Sequence, residues 1–489
     1  MLSLITVSLI STPMALHSQT IESYLTTADR KCLFSYNGNA GEFSARHNER
    51  SNYIIVDPTQ PYQQMDGFGF ALTGGSAQHI RNMSVEERKN LLLELFDPVE
   101  GIGISYIRLT LGASDLNDYV FSYDDMPEGK EDFELKKFSL SQDIHDVIPV
   151  MTEILQINPD IKIMSSPWSA PEWMKTNGDF HGGKLRKDCY SVYADYFVKY
   201  IRAMAEYGID IIAVTIQNEP LNSGNTPSMP WSPQDQIDFV KNFLGPKFKE
   251  NGIKTEIVVF DHNCDRPDYA LTIYNDPEAA QYVSGSAYHH YRGDLSAMSY
   301  VHEARPDKKI YFTEQMTIEK PGMDHIDIAQ ACTRLLIDIP RNWSSNVILW
   351  NLAANSANEP HTDNGGCSMC QGAITIDEND IIRNIAYYVI AHASKCVAPG
   401  SIRIQSTSPW DRSVALCEDE QNPGIYRANL IEHSNVLKNV AFKTPDNHIV
   451  LIVANDSWNK NNVCIQYNGK FAELPLSPGS VGTFIWQEK

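Results

Sequence analysis

Two glutamates end short apolar runs of the chain: Glu219 in IIAVTIQNEP (211–220) and Glu314 in IYFTE (310–314). A β-branched run that stops abruptly in polar residues reads as a strand of a parallel sheet covered on both faces. Its carboxyl end is where barrels and open α/β sheets place their chemistry. A carboxylate beside an amide at such a tip, as Glu219 beside Asn218, is a candidate general acid, because low dielectric behind it raises its pKa. Two carboxylates facing each other across a barrel mouth, about 5–5.5 Å apart, suit double displacement at a sugar's anomeric carbon. The Asn218 amide suits a sugar 2-hydroxyl, which puts the acid/base role on Glu219 and leaves Glu314 as the nucleophile. Glu314 then needs donors to stay ionised, and Arg108, with Tyr291 or His289, is placed to supply them. Trp168, Trp173 and Trp350 follow strands and offer indole faces for stacking on a sugar ring. Asp115 lies just beyond a strand, where it can bind sugar hydroxyls. His289-His290-Tyr291 has no third ligand at a recognisable spacing, so neither a metal nor a cofactor is expected.

These residues need a frame. Eight short apolar strands are read at 67–72, 102–112, 161–166, 211–220, 256–260, 286–291, 309–314 and 347–352. Helical patterns lie between them: 85–95, opened by the capping box Ser84/Glu87; 143–157; 190–207, stopped by Gly208; and 234–248. A further helix around 381–393 closes the alternation. The expected fold class is α/β, a (β/α)₈ TIM barrel over 64–395 with long strand-to-helix loops. An open doubly wound sheet is the competing arrangement, and the Trp, Tyr, His and Asn gathered at one set of strand ends favour closure. Gly67-Phe68-Gly69 lacks the third glycine of a dinucleotide site. Beyond Pro399-Gly400 the pattern changes to strands and turns, at 401–405, 436–442, 449–455, 463–467 and 483–486. Residues 396–489 are therefore expected to form an all-β sandwich side domain. The segment 19–63, polar and irregular over 21–50 but with a strand at 53–57, is expected to contribute to that sandwich.

With 489 residues, 42% of them hydrophobic, the chain has room for a barrel and an accessory domain. The net charge of −21 argues against nucleic acid or an anionic membrane as partner. Residues 1–18, MLSLITVSLISTPMALHS, read as a signal peptide and so imply a secreted or periplasmic protein. No later apolar run reaches the ~18 residues of a membrane span. The nine cysteines are mostly scattered. Cys367 and Cys370, the one close pair, read as a local disulfide or as two loop thiols.

Several stretches resemble glycoside hydrolase family 30, the glucosylceramidase-like enzymes. They are GFG at 67–69, SPWSAPEWMKTNG at 166–178, QNEP at 217–220, HHY at 289–291, WNLA at 350–353 and YVIAHASKCVAPGS at 388–401. The resemblance spans nearly the whole mature chain. It implies a retaining (β/α)₈ hydrolase with a β-sandwich side domain, Glu219 as acid/base and Glu314 as nucleophile. It also implies that Asp115, Trp168, Asn218, Tyr291 and Trp350 line the sugar pocket. The sequence departs from the family at Gly74, at Gln315-Met316 and in the loop 365–370. The leading expectation is a secreted β-glucosidase of glucosylceramidase type acting on a β-glucoside, β-glucan or glucosylceramide. The alternative is an endo-β-1,6-glucanase. A non-catalytic carbohydrate-binding barrel should have lost one carboxylate, and both are present.

Overall fold

The computed structural model describes residues 19–488, apart from 47, 49–50, 320–327, 379, 410–411, 419–425 and 433–435, with 412–418 and 426–432 described as backbone. The expected signal peptide lies outside the described residues.

Three strands come first: β1 (Gln19–Thr26), β2 (Ser35–Phe43) and β3 (Ile54–Gln64). Then come eight parallel strands: β4 (Gly67–Leu72), β5 (Tyr106–Thr110), β6 (Lys162–Ser166), β7 (Ala213–Thr215), β8 (Glu256–Cys264), β9 (Val283–Gly293), β10 (Lys309–Glu314) and β11 (Asn346–Leu349). Their order is β10-β9-β8-β7-β6-β5-β4-β11, and an Ile310–Ser344 bridge brings the two ends together, closing a barrel. The open sheet is thereby excluded. Gly69 on β4 is required by close approach, since a Cβ there would lie 1.8 Å from the Tyr106 carbonyl oxygen. β7 is far shorter than the apolar run that announced it, because the chain leaves the ladder to form the turn that carries Glu219.

A small sheet follows, β12 (Ala353–Ala354), β13 (Ile374–Asp377) and β14 (Asp380–Arg383), and then the helix Ile385–Ser394. Residues 381–383, read as helix, thus belong to a strand, and the helix begins after Asn384, whose amide donates to Gly372 and Thr375. The remaining strands are β15 (Ile402–Ser406), β16 (Arg412–Glu418), β17 (Tyr426–Glu432), β18 (Lys438–Lys443), β19 (His448–Asn455), β20 (Asn461–Tyr467), β21 (Lys470–Leu476) and β22 (Ser480–Gln487). β16 and β17 form a separate hairpin. The others join β1–β3 in one nine-stranded sheet, β2-β1-β22-β19-β18-β15-β3-β20-β21. Its edges meet through a Ser44–Phe471 bridge, so the sheet curls over its own core of Ile21, Phe43, Ile54, Leu451, Ile465 and Trp486. Within the stretch read as irregular, residues up to Thr26 and from Ser35 to Phe43 are therefore strands. The alternation of β1 puts Gln19 and Ser23 inside alongside Ile21, which leaves little hydrophobic period to read.

The helix Ile385–Ser394 ties the two layers together. His392 is fully buried there, with Nδ1 2.9 Å from Thr483 Oγ1 and Nε2 2.8 Å from Thr26 Oγ1, one hydroxyl from each end of the chain. Burial pushes its pKa down to about 3. The unfolded chain takes up this proton near pH 6.5 and the folded one does not, so the stability tied to His392 is complete above about pH 6.5 and is lost as pH falls toward 3. His392→Gln, which keeps an amide near both hydroxyls, should flatten the slope of unfolding free energy against pH between about 4 and 6.5 in urea titrations. An unchanged slope would assign acid sensitivity to other groups.

Candidate active site

The site is one storey of the barrel interior. Tyr106, Met164, Ala213, Val258, Ala287, Tyr311 and Ile348, one from each of seven strands, pack into an apolar layer. Side chains alternate along a strand, so the next inward positions lie two residues on. They are Arg108, Ser166, Thr215, His289, Thr313 and Trp350, a layer rich in donors toward the carboxyl ends of the strands. β8 breaks the count, since two residues after Val258 stands Phe260. There the register slips against β9, and Phe260 and Asp261 take positive φ values of 72° and 67°. This bulge turns Asp261, not Phe260, into the ring.

Asp261 is the buried centre of this layer. It accepts hydrogen bonds from Arg108 Nη2 (2.9 Å), Ser166 (3.1 Å), Thr215 (2.7 Å) and Thr313 (2.6 Å), and lies 3.0 Å from His289 Nε2. Burial would raise its pKa, but the Arg108 charge and the His289 and Thr313 contacts hold it well below the usual carboxylate range. Arg108, also fully buried, spreads its fork: Nη1 donates to Glu314 Oε2 at 2.7 Å, Nη2 to Asn218 Oδ1 at 2.6 Å, and Nε to Ser166 at 3.2 Å. The Asn218 oxygen is thereby occupied, and its NH₂ is the end left for a ligand. Tyr291 donates its hydroxyl to Glu314 Oε1 at 3.0 Å. Both expected donors thus converge on the expected nucleophile.

Glu219 sits on the turn after β7 with φ of 47°, a left-handed conformation that non-glycine residues adopt sparingly and that clusters at functional sites. Asn222 donates to its Oε2 at 2.7 Å. Its Oε1 lies 3.3 Å from His289 Nδ1 and 3.4 Å from His262 Nδ1, the latter without hydrogen-bond alignment. Burial alone would raise the Glu219 pKa, and the two imidazoles reverse this, holding it as a carboxylate in the free site. His289 moves oppositely: burial would lower its pKa, but Glu314, Asp261 and Glu219 hold it up to about 10. One proton is therefore held between Glu219 and His289, with Asp261 behind the ring. Glu219, His262 and His289 also bring three donor atoms within 4.8 Å of one another. A cation there would have to displace the proton that the surrounding carboxylates stabilise on His289.

These groups open into a cavity of about 500 Å³. Trp168 and Trp350 stack 5.4 Å apart in its wall, with the Arg108 guanidinium 4.9 Å from the Trp168 ring. Asp115 faces the cavity, and burial followed by the charges of Glu314 and Glu219 lifts its pKa to about 7. Cys367 and Cys370 form a disulfide on the opposite loop, which decides between the two sequence readings. Arg108, Asp115, Trp168, Asn218, Glu219, His289, Tyr291, Glu314 and Trp350 are all brought together. Trp173 is not. Its ring packs on Phe133 and its N–H donates to the Asp124 carbonyl at 3.0 Å, so it supports a loop. Asp261, His262, Asn222 and Thr313 went unread in the sequence. Asp261 carried the same signal as the glutamates, a carboxylate at the tip of an apolar strand.

Arg108 carries a direct prediction. Arg108→Met leaves the buried Asp261 and Glu314 with His289 as their one remaining cationic neighbour, a loss of roughly 3–5 kcal/mol for a broken buried pair. Chemical denaturation should show that drop, and Arg108→Lys should recover only part of it, because an ammonium cannot span the fork. A stable, active methionine variant would refute the role given to Arg108.

The profile of the glycosyl hydrolase family 30 TIM-barrel domain matches residues 65–397, and that of the family's beta sandwich domain matches residues 428–484. An endo-1,6-β-D-glucanase of Aspergillus fumigatus is 35% identical over 387 residues, 75% of this chain and 77% of that one. The lysosomal acid glucosylceramidase of mouse is 28% identical over 479 residues, 92% of this chain and 86% of that one. Among solved structures, an endo-β1,6-glucanase superposes with a TM-score of 0.84 at 32% identity, covering 96% of this chain and all of that one. With barrel and sandwich both matched, the chain belongs to glycoside hydrolase family 30.

Proposed function

We propose that this glycosidase is an exported, retaining endo-β-1,6-glucanase. The observation that carries the mechanism is the position of His289, whose Nδ1 lies 3.3 Å from Glu219 Oε1 and 3.6 Å from Glu314 Oε1. The two carboxyl oxygens are then no more than about 7 Å apart, which favours the spacing of a nucleophile and its acid/base partner over the wider gap that an inverting water needs. In the first step Glu314 attacks the anomeric carbon and the bond to the leaving oxygen breaks. That oxygen takes the proton held by the Glu219–His289 pair. In the second step Glu219 accepts a proton from water, the hydroxyl adds to the same carbon, and the ester to Glu314 breaks. The β-1,6 linkage is supported by the endo-1,6-β-glucanases, at 31–35% identity against 27–28% for the glucosylceramidases. Export is supported by the leader read at 1–18 and by the disulfide, which persists in oxidising compartments.

Incubation with a linear β-1,6-glucan, a β-1,3-glucan and glucosylceramide tests the proposal. A ladder of β-1,6-linked oligosaccharides, with the β-anomer appearing first by NMR, is the expected result. Release of glucose alone would refute endo action. Turnover of glucosylceramide without attack on the glucan would move the assignment to the glucosylceramidase reading.

A further inference from the structure

The loop 362–370 touches three others that build the pocket. The Thr362 backbone N–H donates to the Asp115 carbonyl oxygen at 2.9 Å, and the Cys367 N–H faces the Asp115 carboxylate and favours its charged form. Gly365, at φ 86°, lies so close to the loop after Glu219 that a Cβ would meet the Gly224 carbonyl oxygen at 2.2 Å. Cys370 accepts from Asn351 Nδ2 at 2.7 Å, places Sγ 3.9 Å from Met316 Sδ, and packs with Trp168 and Trp350. Asp115 has no cationic partner among the described residues, and its charged form is favoured only by its own backbone N–H and that of Cys367. The only covalent constraint on the loop is the Cys367–Cys370 bridge, and both cysteines line the cavity.

We propose that the Cys367–Cys370 disulfide is a positioning element for sugar binding: it holds the loop against Asp115 and so sets affinity for the glycone, not the rate of bond cleavage. This rests on reading the cavity as the sugar site. Opening the bridge with a dithiol exchanges one disulfide for another: two cysteine thiols form and the reductant closes to its cyclic disulfide. Hydrogen bonds join the loop to Asp115 with or without the bridge; once it is open the loop has more conformations to lose, and the cost of ordering it falls on binding.

The experiment blocks exposed thiols of the folded protein, reduces it with dithiothreitol, and alkylates the new thiols, with peptide mass mapping at Cys367 and Cys370. The Cys367→Ser/Cys370→Ser double variant provides the same break without reagents, and circular dichroism checks its fold. Binding of a gluco-configured iminosugar by calorimetry is read first, then kcat and KM on an activated aryl β-glucoside. We expect iminosugar Kd and KM to rise about tenfold with kcat within about twofold. Asp115→Asn should give a similar rise, and breaking the bridge in that background should add less than about twofold, as residues acting through one contact do. A wild-type protein that does not bind the iminosugar would overturn the sugar-site reading itself. Normal wild-type binding with unchanged affinity after the break, a fall confined to kcat, or penalties that multiply in the Asp115→Asn background would overturn the positioning role.

Discussion

Replacing Glu314 by glutamine is expected to abolish turnover of every substrate, activated or not, by roughly 10⁴–10⁶-fold, the scale seen when a catalytic nucleophile is removed. The amide keeps the volume, its oxygen can still accept from Arg108 and its NH₂ can donate to the Tyr291 hydroxyl in place of accepting from it, so the fold should survive while the charge proposed to attack carbon is lost. Arg108 retains Asp261 at 2.9 Å and is not left without an anion. Two readouts separate this from a general loss of function. A 2-deoxy-2-fluoro-glucosyl reagent should label the wild-type peptide that contains Glu314 and leave the variant unlabelled. Glu314→Ala supplied with azide should form the α-glycosyl azide from a β-substrate, since the anion enters from the emptied side. Labelling elsewhere, or retained turnover by the glutamine variant, would remove Glu314 from the role.

Glu219→Gln should behave differently. Loss of the proton donor matters in proportion to the basicity of the leaving oxygen, so hydrolysis of a glucan should fall by about 10²–10⁴-fold. Departure of a dinitrophenolate needs no proton, so formation of the glycosyl-enzyme from such a substrate should be almost unaffected. Its hydrolysis then lacks a base, and a burst followed by slow turnover with a low KM is the expected trace. The positive φ at this position tolerates glutamine as it tolerates glutamate, so backbone strain should not confuse the result. An equal loss on good and poor leaving groups would falsify the acid/base assignment.

Strand-tip logic located Glu219 and Glu314 because each follows an apolar run whose end is visible in the residue types. Arg108 was legible for a related reason, as a cation inside an otherwise apolar strand. Asp261 also ends an apolar run, but its inward direction was hidden by geometry. An uninterrupted β8 would put Phe260 inward, and only the bulge at Phe260–Asp261 changes the parity. A bulge of two left-handed non-glycine residues leaves no glycine to betray it. Trp173 misled for the opposite reason: it follows a strand and stands among polar residues, yet its N–H is satisfied by Asp124 on the loop after β5. In the sandwich, β18, β19 and β22 carry apolar residues at alternate positions or throughout, and they were legible. β1 buries glutamine and serine beside Ile21, β2 buries only Phe43, and nothing in their composition separates them from coil.

The nine-stranded sheet has a consequence for how the protein is made. β1, β2 and β3 leave the ribosome first, yet their hydrogen-bonding neighbours β22, β15 and β20 come from the last ninety residues. About 340 residues separate the two groups, so at translation speeds of about 5–20 residues per second the early strands wait on the order of 17–70 s for partners. Throughout that interval Ile21, Phe43, Ile54 and Val56 have no core to enter. The barrel can close in the meantime, but the side of it that receives the sandwich stays bare until β22 delivers Thr483 to His392. Nascent chains should therefore depend on holding factors up to termination, and a ribosome stalled before residue 480 should present a formed barrel with a protease-sensitive amino terminus.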